Sequence, residues 1–147
     1  MRIVVQRVNR AQVSVEEKEV GRIGKGLVLL IGFREGDSID ILPFWVDKCV
    51  NLRIFEDRDG KMNVSLLETG GEILAISQFT LYGDASKGRR PSFINAARPE
   101  IAEPLYDEFV QLLRAKGVKV STGIFGAMMD VDLVNSGPVT ILLDSEA

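Results

Sequence analysis

Two hydroxyl groups and a side-chain amide follow an apolar run at Ser77, Gln78, Phe79 and Thr80. A hydroxyl acts as a nucleophile only when a neighbouring base takes its proton. The chain has no histidine, so that base would be a lysine or a carboxylate, and no spacing nominates one. Backbone N–H groups at the end of a strand offer another role, because they can stabilise a developing oxyanion. A third interpretation is that the hydroxyl residues only end the strand.

A Gly-Pro pair, Gly137-Pro138, lies between two segments that both have the pattern of strands. Proline cannot donate a hydrogen bond to a sheet, so in sheets it is confined to edges, first positions and bulges. One interpretation is a turn, because Gly-Pro pairs commonly mark loops. The other is a cis peptide bond whose two carbonyl groups face the same way and accept hydrogen bonds from an amine. Spacing alone does not choose between them.

The absence of histidine and the presence of a single cysteine exclude several kinds of site. Cys49 has no partner for a disulfide within the chain and cannot form a Cys/His zinc site. Ser-His-Asp and Cys-His catalysis are excluded because both need an imidazole base. The remaining reactive groups are carboxylates, lysines, hydroxyls, backbone dipoles and groups of the substrate itself. We therefore expect no cofactor and no metal.

The formal net charge is −3, from 18 basic and 21 acidic residues. Broad, non-specific binding of nucleic acid needs a basic surface and is not expected of such a chain. One local basic patch stands out, since Lys87, Arg89 and Arg90 lie within the four residues 87–90. Taken alone, this run is more typical of a solvated loop than of a binding site.

Alternating and continuous apolar runs predict many strands and two amphipathic helices. The predicted strands are 3–8, 12–15, 20–23, 27–31, 70–84, 118–122, 127–134 and 139–143. The first helix has Ser38 as its N-cap and buries a stripe formed by Ile41, Trp45, Cys49 and Leu52. The second helix covers 101–116 and stops at Gly117.

This order of elements favours a single α/β domain over 1–147, a curved, barrel-like mixed β-sheet flanked by two main helices. Two helices do not cover both faces of such a sheet, so we expect a homodimer that forms through the sheet. The longest apolar run, LVLLI at 27–31, is too short to cross a membrane. The N-terminal segment has no signal-peptide pattern, so a cytoplasmic location is expected.

Four segments together resemble the D-aminoacyl-tRNA deacylase family, the D-Tyr-tRNA deacylases. They are MRIVVQRV, SQFTLYGD, KGRRPSF and TGIFGAMMDVDLVNSGPVT, and the likeness extends over about 1–145. The SQFTL and NxGPVT motifs are specific for this family when both occur at this separation, and neither is specific alone. The chain departs from the family at Met128 and Ser136, where family members often have acidic residues, and keeps Gly137 and Pro138.

The resemblance implies a homodimeric hydrolase with active sites at the subunit interface. Its substrate is the ester that joins a D-amino acid, or glycine mischarged on tRNA(Ala), to the 3′-terminal adenosine of a tRNA. The SQFTL match, residues 77–81, would line the pocket for the adenosine and the ester, with its first four residues, 77–80, as the catalytic ones. Gly137-Pro138 would be a cis dipeptide that enters the partner's pocket and rejects L-amino acids. Such exclusion makes no specific contact with the side chain of a D-amino acid.

Further residues take their roles from the same resemblance. Arg7 would help to hold the dipeptide. A segment that lines the pocket would contribute Phe125, Ala127 and Met129. The patch of Lys87, Arg89 and Arg90 would contact phosphates at the CCA end of the tRNA.

The mechanism that suits a chain without histidine is hydrolysis assisted by the substrate. We expect the 2′-OH of the terminal ribose to assist water, while backbone groups of Ser77 and Phe79 stabilise the oxyanion and Thr80 supports the geometry. Two other functions stay open on the sequence. One is a non-catalytic module that binds an RNA 3′ end or a nucleotide, and the other is an esterase for free aminoacyl esters.

Overall fold

The computed structural model describes residues 1–146 of the chain. Its strands are β1 (Arg2–Val15), β2 (Lys18–Ile23), β3 (Gly26–Gly32), β4 (Phe55–Glu56), β5 (Met62–Val64), β6 (Glu72–Ser77), β7 (Val120–Thr122) and β8 (Asp130–Asp144). Its helices are α1 (Leu42–Asn51), α2 (Leu66–Thr69) and α3 (Pro99–Ala115). Short 3-10 turns lie before α1, at Ile39–Ile41, and after β6, at Phe79–Tyr82. Within residues 1–146, no helix has the length and hydropathy needed to span a bilayer.

Six strands form one mixed sheet in the order β2-β1-β3-β6-β7, with β8 also paired to β1. β1 is antiparallel to its three partners, whereas β3 and β6, and β6 and β7, are parallel. The two ends of the path approach each other, because the Ser121 hydroxyl on β7 donates to the carbonyl of Arg22 on β2 at 3.0 Å. The sheet is thus a nearly closed barrel, which confirms the predicted curved, mixed architecture.

Alternate residues of the central strands face two separate apolar cores. Ile3 and Val5 of β1 join one core together with side chains of α1 and α3. Val28 of β3 and Leu74 of β6 belong to the other core, inside the barrel. Burial on both faces explains why β3 and β6 appear in the sequence as continuous apolar runs rather than as alternating ones.

The first helix differs from its prediction in where it starts. Ser38 precedes a 3-10 turn rather than α1, and its side chain makes no capping hydrogen bond. The helix itself begins at Leu42, so its fully buried stripe is Leu42, Val46, Cys49 and Val50. Ile41, Trp45 and Leu52 of the predicted stripe are only half-buried at its edge. Burial raises the pKa of the Cys49 thiol to about 12, so this cysteine packs as an apolar residue.

Two pairs of predicted strands are single long strands. β1 continues through Asn9 and Arg10, which are exposed and interrupt the apolar pattern. β8 likewise continues from 130 through the Gly-Pro pair to 144. The reason is that these strands pair with each other on both sides of the interruptions, so hydrogen bonds keep the chain extended where the pattern fails.

The Gly-Pro pair occupies a wide bulge of β8 opposite Arg7. Gln6 pairs with Thr140 and Val8 pairs with Asn135, so the single intervening residue of β1 faces the four residues 136–139 of β8. The Gly137-Pro138 peptide bond is cis, and both residues are exposed. A bulge accommodates proline because its residues leave the hydrogen-bond ladder. The simple turn between two strands is therefore not what the structure has.

The Asn135 side chain closes the base of this bulge. Its Oδ1 accepts the N–H of Val139 at 2.7 Å, and its Nδ2 donates to the carbonyl of Val139 at 3.1 Å. The same Nδ2 lies 3.1 Å from the hydroxyl of Thr140. One side chain thus supplies the hydrogen bonds that the missing ladder would have given to Val139, whose side chain is buried.

Replacing Asn135 by alanine should destabilise the protein by about 2 kcal/mol, because the peptide groups of Val139 lose their partners. Urea unfolding of the variant measures this change. Asn9→Ala is the matched control, since Asn9 is exposed on the neighbouring strand and its side chain makes no hydrogen bond within residues 1–146. Equal stability of the two variants would contradict the role given to Asn135.

Two buried tyrosines form a second matched pair. The Tyr106 hydroxyl donates to the carbonyl of Ala75 at 2.7 Å, whereas the Tyr82 hydroxyl has no partner within residues 1–146. Tyr106→Phe should therefore lower the free energy of unfolding by about 1 kcal/mol, and Tyr82→Phe should leave it unchanged or raise it. Chemical denaturation of both variants checks the order, and a larger loss for Tyr82→Phe would show it to be wrong.

Candidate active site

A cavity of about 780 Å³ opens at the end of β6, beside the start of α3 and the segment before β8. Its volume lies in the range of small-molecule sites, and its walls are mainly apolar. It is lined by Ile31, Phe33, Ile76, Ser77, Gln78, Phe79, Thr80, Phe93, Ala96, Ala97, Arg98, Pro99, Ala102, Phe125, Gly126, Ala127, Met128, Met129 and Val131. Seven of the eight residues predicted to line the pocket, those at 77–80 together with Phe125, Ala127 and Met129, lie in this wall. Leu81 does not, because it lies further along the turn, where its carbonyl accepts a hydrogen bond from Nη1 of Arg2 at 2.8 Å.

The polar end of β6 reaches the cavity because the strand stops there. The N–H of Gln78 still donates to the carbonyl of Ile31 at 2.8 Å, but the pairing of β6 with β7 ends at Ala75. The chain then turns into the 3-10 segment Phe79–Tyr82. The first N–H groups of such a turn have no acceptor inside it, and those of Phe79 and Thr80 find none elsewhere within residues 1–146.

Thr80 is held by its neighbour rather than by a base. Its Oγ1 accepts a hydrogen bond from Nε2 of Gln78. Within residues 1–146, no carboxylate or lysine makes a hydrogen bond to this hydroxyl. An amide donor does not remove a proton, so this contact orients Thr80 without activating it as a nucleophile.

The cavity wall contains a single ionisable side chain, Arg98, among the described residues. The guanidinium stays protonated throughout the working range of enzymes and does not act as a base. Oriented backbone groups and the Ser, Gln and Thr side chains are the remaining polar functions. Such a site can orient a reactive bond and stabilise charge, but it supplies no general base of its own.

The segment before β8 forms the opposite wall through close packing. Phe125 lies 6.2 Å from the ring of Tyr106 on α3, measured between centroids. A Cβ on Gly123 would come within 2.4 Å of the Met129 sulfur, so glycine here leaves room for the Met129 side chain. Burial raises the pKa of the Tyr106 hydroxyl, which stays neutral and bonded to the sheet. The wall is therefore a loop whose Phe125 and Met129 side chains pack against the two cores.

Gly137, Pro138 and Arg7 do not line this cavity. Arg7 borders a separate cavity of about 310 Å³. Its guanidinium is buried and donates to two carbonyls, from Nε to Ser136 at 2.9 Å and from Nη1 to Ile54 at 2.8 Å. The first contact is made to the bulge, at the residue before Gly137. The second ties it to the segment that follows α1.

Glycine is required at position 137 for two reasons. Its φ of +134° is a conformation that side chains disfavour. A Cβ there would lie 2.7 Å from Cγ2 of Val139 and 3.0 Å from Nη2 of Arg7. A larger residue would therefore displace the bulge and its anchor together.

The basic patch lies beside the cavity rather than in its wall. Asp84 and Ser92 exchange two backbone hydrogen bonds of 2.8 Å, which close residues 84–92 into a hairpin. Lys87, Arg89 and Arg90 are exposed in its loop. The Asp84 carboxylate accepts the N–H of Ser86 at 2.9 Å, and its hydrogen bonds to Ser86 lower the pKa of this carboxyl.

Four residues that matter here were not among the predicted site residues. Asn135 closes the bulge, and its signal was present in the NxGPVT motif. Arg98, Ala102 and Phe93 line the cavity. Phe93 lay within the KGRRPSF segment but was given no role, and nothing in the sequence marked Arg98 or Ala102, because the approach of the hairpin and of α3 to the end of β6 depends on tertiary packing.

The family model described as D-Tyr-tRNA(Tyr) deacylase matches residues 4–144. A protein of Bacillus velezensis named D-aminoacyl-tRNA deacylase is 59% identical over 146 residues, which cover 99% of each chain. One of Clostridioides difficile with the same name is 57% identical over 145 residues, covering 99% of this chain and 97% of that one.

Two solved structures share the fold. One, named c-Myc DNA Unwinding Element Binding Protein, has a TM-score of 0.93 and 42% identity over the full length of both chains. The other, described as a probable eukaryotic D-amino acid tRNA deacylase, has a TM-score of 0.83 and 24% identity over 97% of each chain. Taken with the family model and the close relatives, these findings show that the chain belongs to the D-Tyr-tRNA deacylase family.

Proposed function

We propose that this protein hydrolyses the ester bond of D-aminoacyl-tRNA and releases free tRNA and the D-amino acid. The observation that carries the proposal is the cavity at the end of β6. Its walls are mainly apolar, and the N–H groups of Phe79 and Thr80 beside it have no acceptor within residues 1–146. The chain also belongs to a family of deacylases. An aminoacyl ester is an activated bond, so orientation and charge stabilisation suffice without a protein base.

Water attacks the ester carbonyl carbon. The carbonyl oxygen becomes an oxyanion, which the backbone groups of 77–80 stabilise. The bond from carbon to the ribose 3′ oxygen then breaks, and that oxygen takes a proton. The neighbouring 2′-OH of the substrate assists the proton transfers. Thr80 keeps the turn in shape through its contact with Gln78.

Selection of the D enantiomer is assigned to Gly137 and Pro138 of the partner subunit. Both residues are exposed and lie outside the cavity of their own chain, which supports a role in a neighbouring one. Arg7 and Asn135 hold the bulge, so its carbonyls form a fixed wall against the L side chain. A wall of this kind makes no contact with a D side chain. Glycine esterified to tRNA(Ala) should therefore also be hydrolysed.

The homodimer is proposed to form on the sheet face that the helices leave uncovered. Val4 pairs with Leu30 on one side and with Leu142 on the other, so three apolar side chains form a row across adjacent strands. Leu142 is 62% exposed. The outer edge of β8 also has no partner strand within residues 1–146. Long unpaired edges and apolar rows are normally covered in stable proteins, and a second copy covers both.

The tRNA is expected to approach along the 84–92 hairpin, where Lys87, Arg89 and Arg90 contact phosphates. Such a local patch reconciles tRNA binding with a net charge of −3. Since charged tRNA is a cytoplasmic substrate, we place the enzyme in the cytoplasm.

The proposed activity is separated from its two alternatives by one assay with three substrates. Purified protein is incubated with D-Tyr-tRNA, L-Tyr-tRNA and D-Tyr methyl ester. We expect hydrolysis of D-Tyr-tRNA alone. A protein that binds tRNA without hydrolysis would be an RNA-end-binding module, and equal turnover of the methyl ester would indicate a general esterase.

Thr80→Ala should keep substantial activity, because Thr80 is placed as a supporting residue and not as the nucleophile. A substrate that ends in 2′-deoxyadenosine should lose most of its reactivity with the unmodified enzyme. Single-turnover hydrolysis of D-Tyr-tRNA measures both effects. An inactive Thr80→Ala variant together with a covalent acyl-enzyme trapped on Thr80 would contradict this mechanism.

Leu142→Arg should convert the dimer to a monomer, because it places a charge at the most exposed position of the apolar row. Sedimentation velocity of the variant and the unmodified protein measures the change. Val20→Arg is the control, since Val20 is 40% exposed on β2, away from this row. A monomeric unmodified protein, or a Leu142→Arg variant that stays dimeric, would exclude this interface.

A further inference from the structure

We propose that the 84–92 hairpin and the aromatic pair at its base form a separate subsite for the nucleotide next to the terminal adenosine. The base of that nucleotide stacks on the Phe93 ring, and its phosphate lies against Lys87, Arg89 and Arg90. The inference rests on the proposed function, because it takes the cavity as the place of the terminal adenosine. It adds a second base-binding position at the lip of the cavity.

The first support is an aromatic platform at the lip of the cavity. The rings of Phe79 and Phe93 meet edge to face, with centroids 5.3 Å apart and an angle of 68° between planes. Both rings line the cavity, yet Phe79 is 54% and Phe93 is 38% exposed. Aromatic faces left open beside a ligand cavity are the feature on which unpaired bases stack in single-stranded nucleic acid.

The platform is fixed in place rather than loosely exposed. The hydrogen bonds between Asp84 and Ser92 close the hairpin directly before Phe93. The Phe93 ring then packs over Gly83, where a Cβ would come within 2.9 Å of its Cε1. The absence of a side chain at Gly83 therefore sets where this ring lies. A ring held in position before the ligand arrives loses little conformational freedom on stacking.

The second support is the charge of the segment that carries the platform. Residues 85–99 contain four basic residues, Lys87, Arg89, Arg90 and Arg98, and no acidic residue, although the chain as a whole is acidic. Within residues 1–146, none of these four side chains forms an ion pair, in contrast to Arg22, Arg34, Lys116 and Lys119. Unpaired cations next to exposed aromatic rings match a chain of alternating phosphates and bases.

These observations favour single-stranded nucleic acid over a protein ligand for this surface. A peptide would be recognised by strand edges or apolar grooves, and the hairpin offers cations instead. An RNA strand whose terminal adenosine is bound in the cavity must pass over the cavity lip. The 3′ end of a tRNA is unpaired, so its penultimate cytosine is free to stack there.

The test compares two minimal substrates, D-Tyr esterified to adenosine and D-Tyr esterified to the dinucleotide cytidylyl-adenosine. For the unmodified enzyme, kcat/KM should be about tenfold higher for the dinucleotide, the size of effect that one stacked base gives. Phe93→Leu keeps apolar bulk but removes the aromatic face, and it should bring this ratio close to one. Phe93→Tyr should keep the ratio. Ile94→Ala is the control, because Ile94 is 82% exposed beside Phe93 and does not line the cavity.

The phosphate contacts are tested by changing Lys87, Arg89 and Arg90 together to glutamine. The advantage of the dinucleotide should fall as salt is raised in the unmodified enzyme, and this salt dependence should disappear in the variant. A dinucleotide advantage that is independent of salt, or that survives unchanged in the variant, would overturn this part of the proposal.

Failure of the subsite differs from failure of the proposed function. If both substrates are hydrolysed with equal kcat/KM, or if Phe93→Leu leaves the ratio unchanged, the subsite is wrong and the deacylase stands. If neither of these substrates nor D-Tyr-tRNA is hydrolysed, the proposed function is wrong. The subsite is then tested by binding of 2-aminopurine ribonucleotidyl-adenosine, whose fluorescence is quenched on stacking, and an equal signal with Phe93→Leu would overturn it.

Discussion

The guanidinium of Arg7 makes the contact on which the proposed site most depends. It is buried and lacks a carboxylate partner within residues 1–146, and its charge is balanced by the carbonyls of Ser136 and Ile54. A buried charge with only dipoles around it is costly, so these two hydrogen bonds are strongly constrained. They join the bulge of β8 to the segment after α1 and hold Gly137 and Pro138 out of the sheet. Asn135 completes the constraint from the other side.

The cavity and the bulge have different roles in the proposed mechanism. The cavity has backbone donors and apolar walls but no base, which suits a substrate whose ester is already activated. In the proposed mechanism the bulge supplies a wall and no chemistry. Because the two lie on different parts of one chain, a second copy is proposed to bring them together. The proposed subsite at the aromatic lip and the basic hairpin would extend the same cavity toward the rest of the tRNA.

The apolar pattern predicted the sheet and both main helices, because buried strands give continuous apolar runs and the helices have clear apolar stripes. The resemblance to the family supplied seven residues of the cavity wall, those at 77–80 together with Phe125, Ala127 and Met129. The sequence divided β1 and β8 into shorter strands, since the pairing across Asn9 and the bulge is a tertiary effect. It offered a turn or a cis bond at Gly137-Pro138, but not the bulge, which depends on register with β1. Phe93 and Arg98 went unnoticed because only the folding of α3 and the hairpin brings them to the cavity.

The claim that Gly137-Pro138 acts in the partner's cavity is tested most directly by mixing two variants. Ala102→Trp fills the cavity, and Gly137→Ala displaces the dipeptide. The two variants are mixed with Ala102→Trp in excess, and their subunits are dissociated and reassociated. The mixture and each variant alone are then assayed with D-Tyr-tRNA and L-Tyr-tRNA. Gly137→Ala alone should hydrolyse both substrates. In the mixture, the intact dipeptide of an Ala102→Trp subunit should enter the open cavity of its Gly137→Ala partner. Hydrolysis of D-Tyr-tRNA should then remain, and hydrolysis of L-Tyr-tRNA should be lost. Hydrolysis of L-Tyr-tRNA that persists in proportion to the Gly137→Ala subunit would contradict the claim.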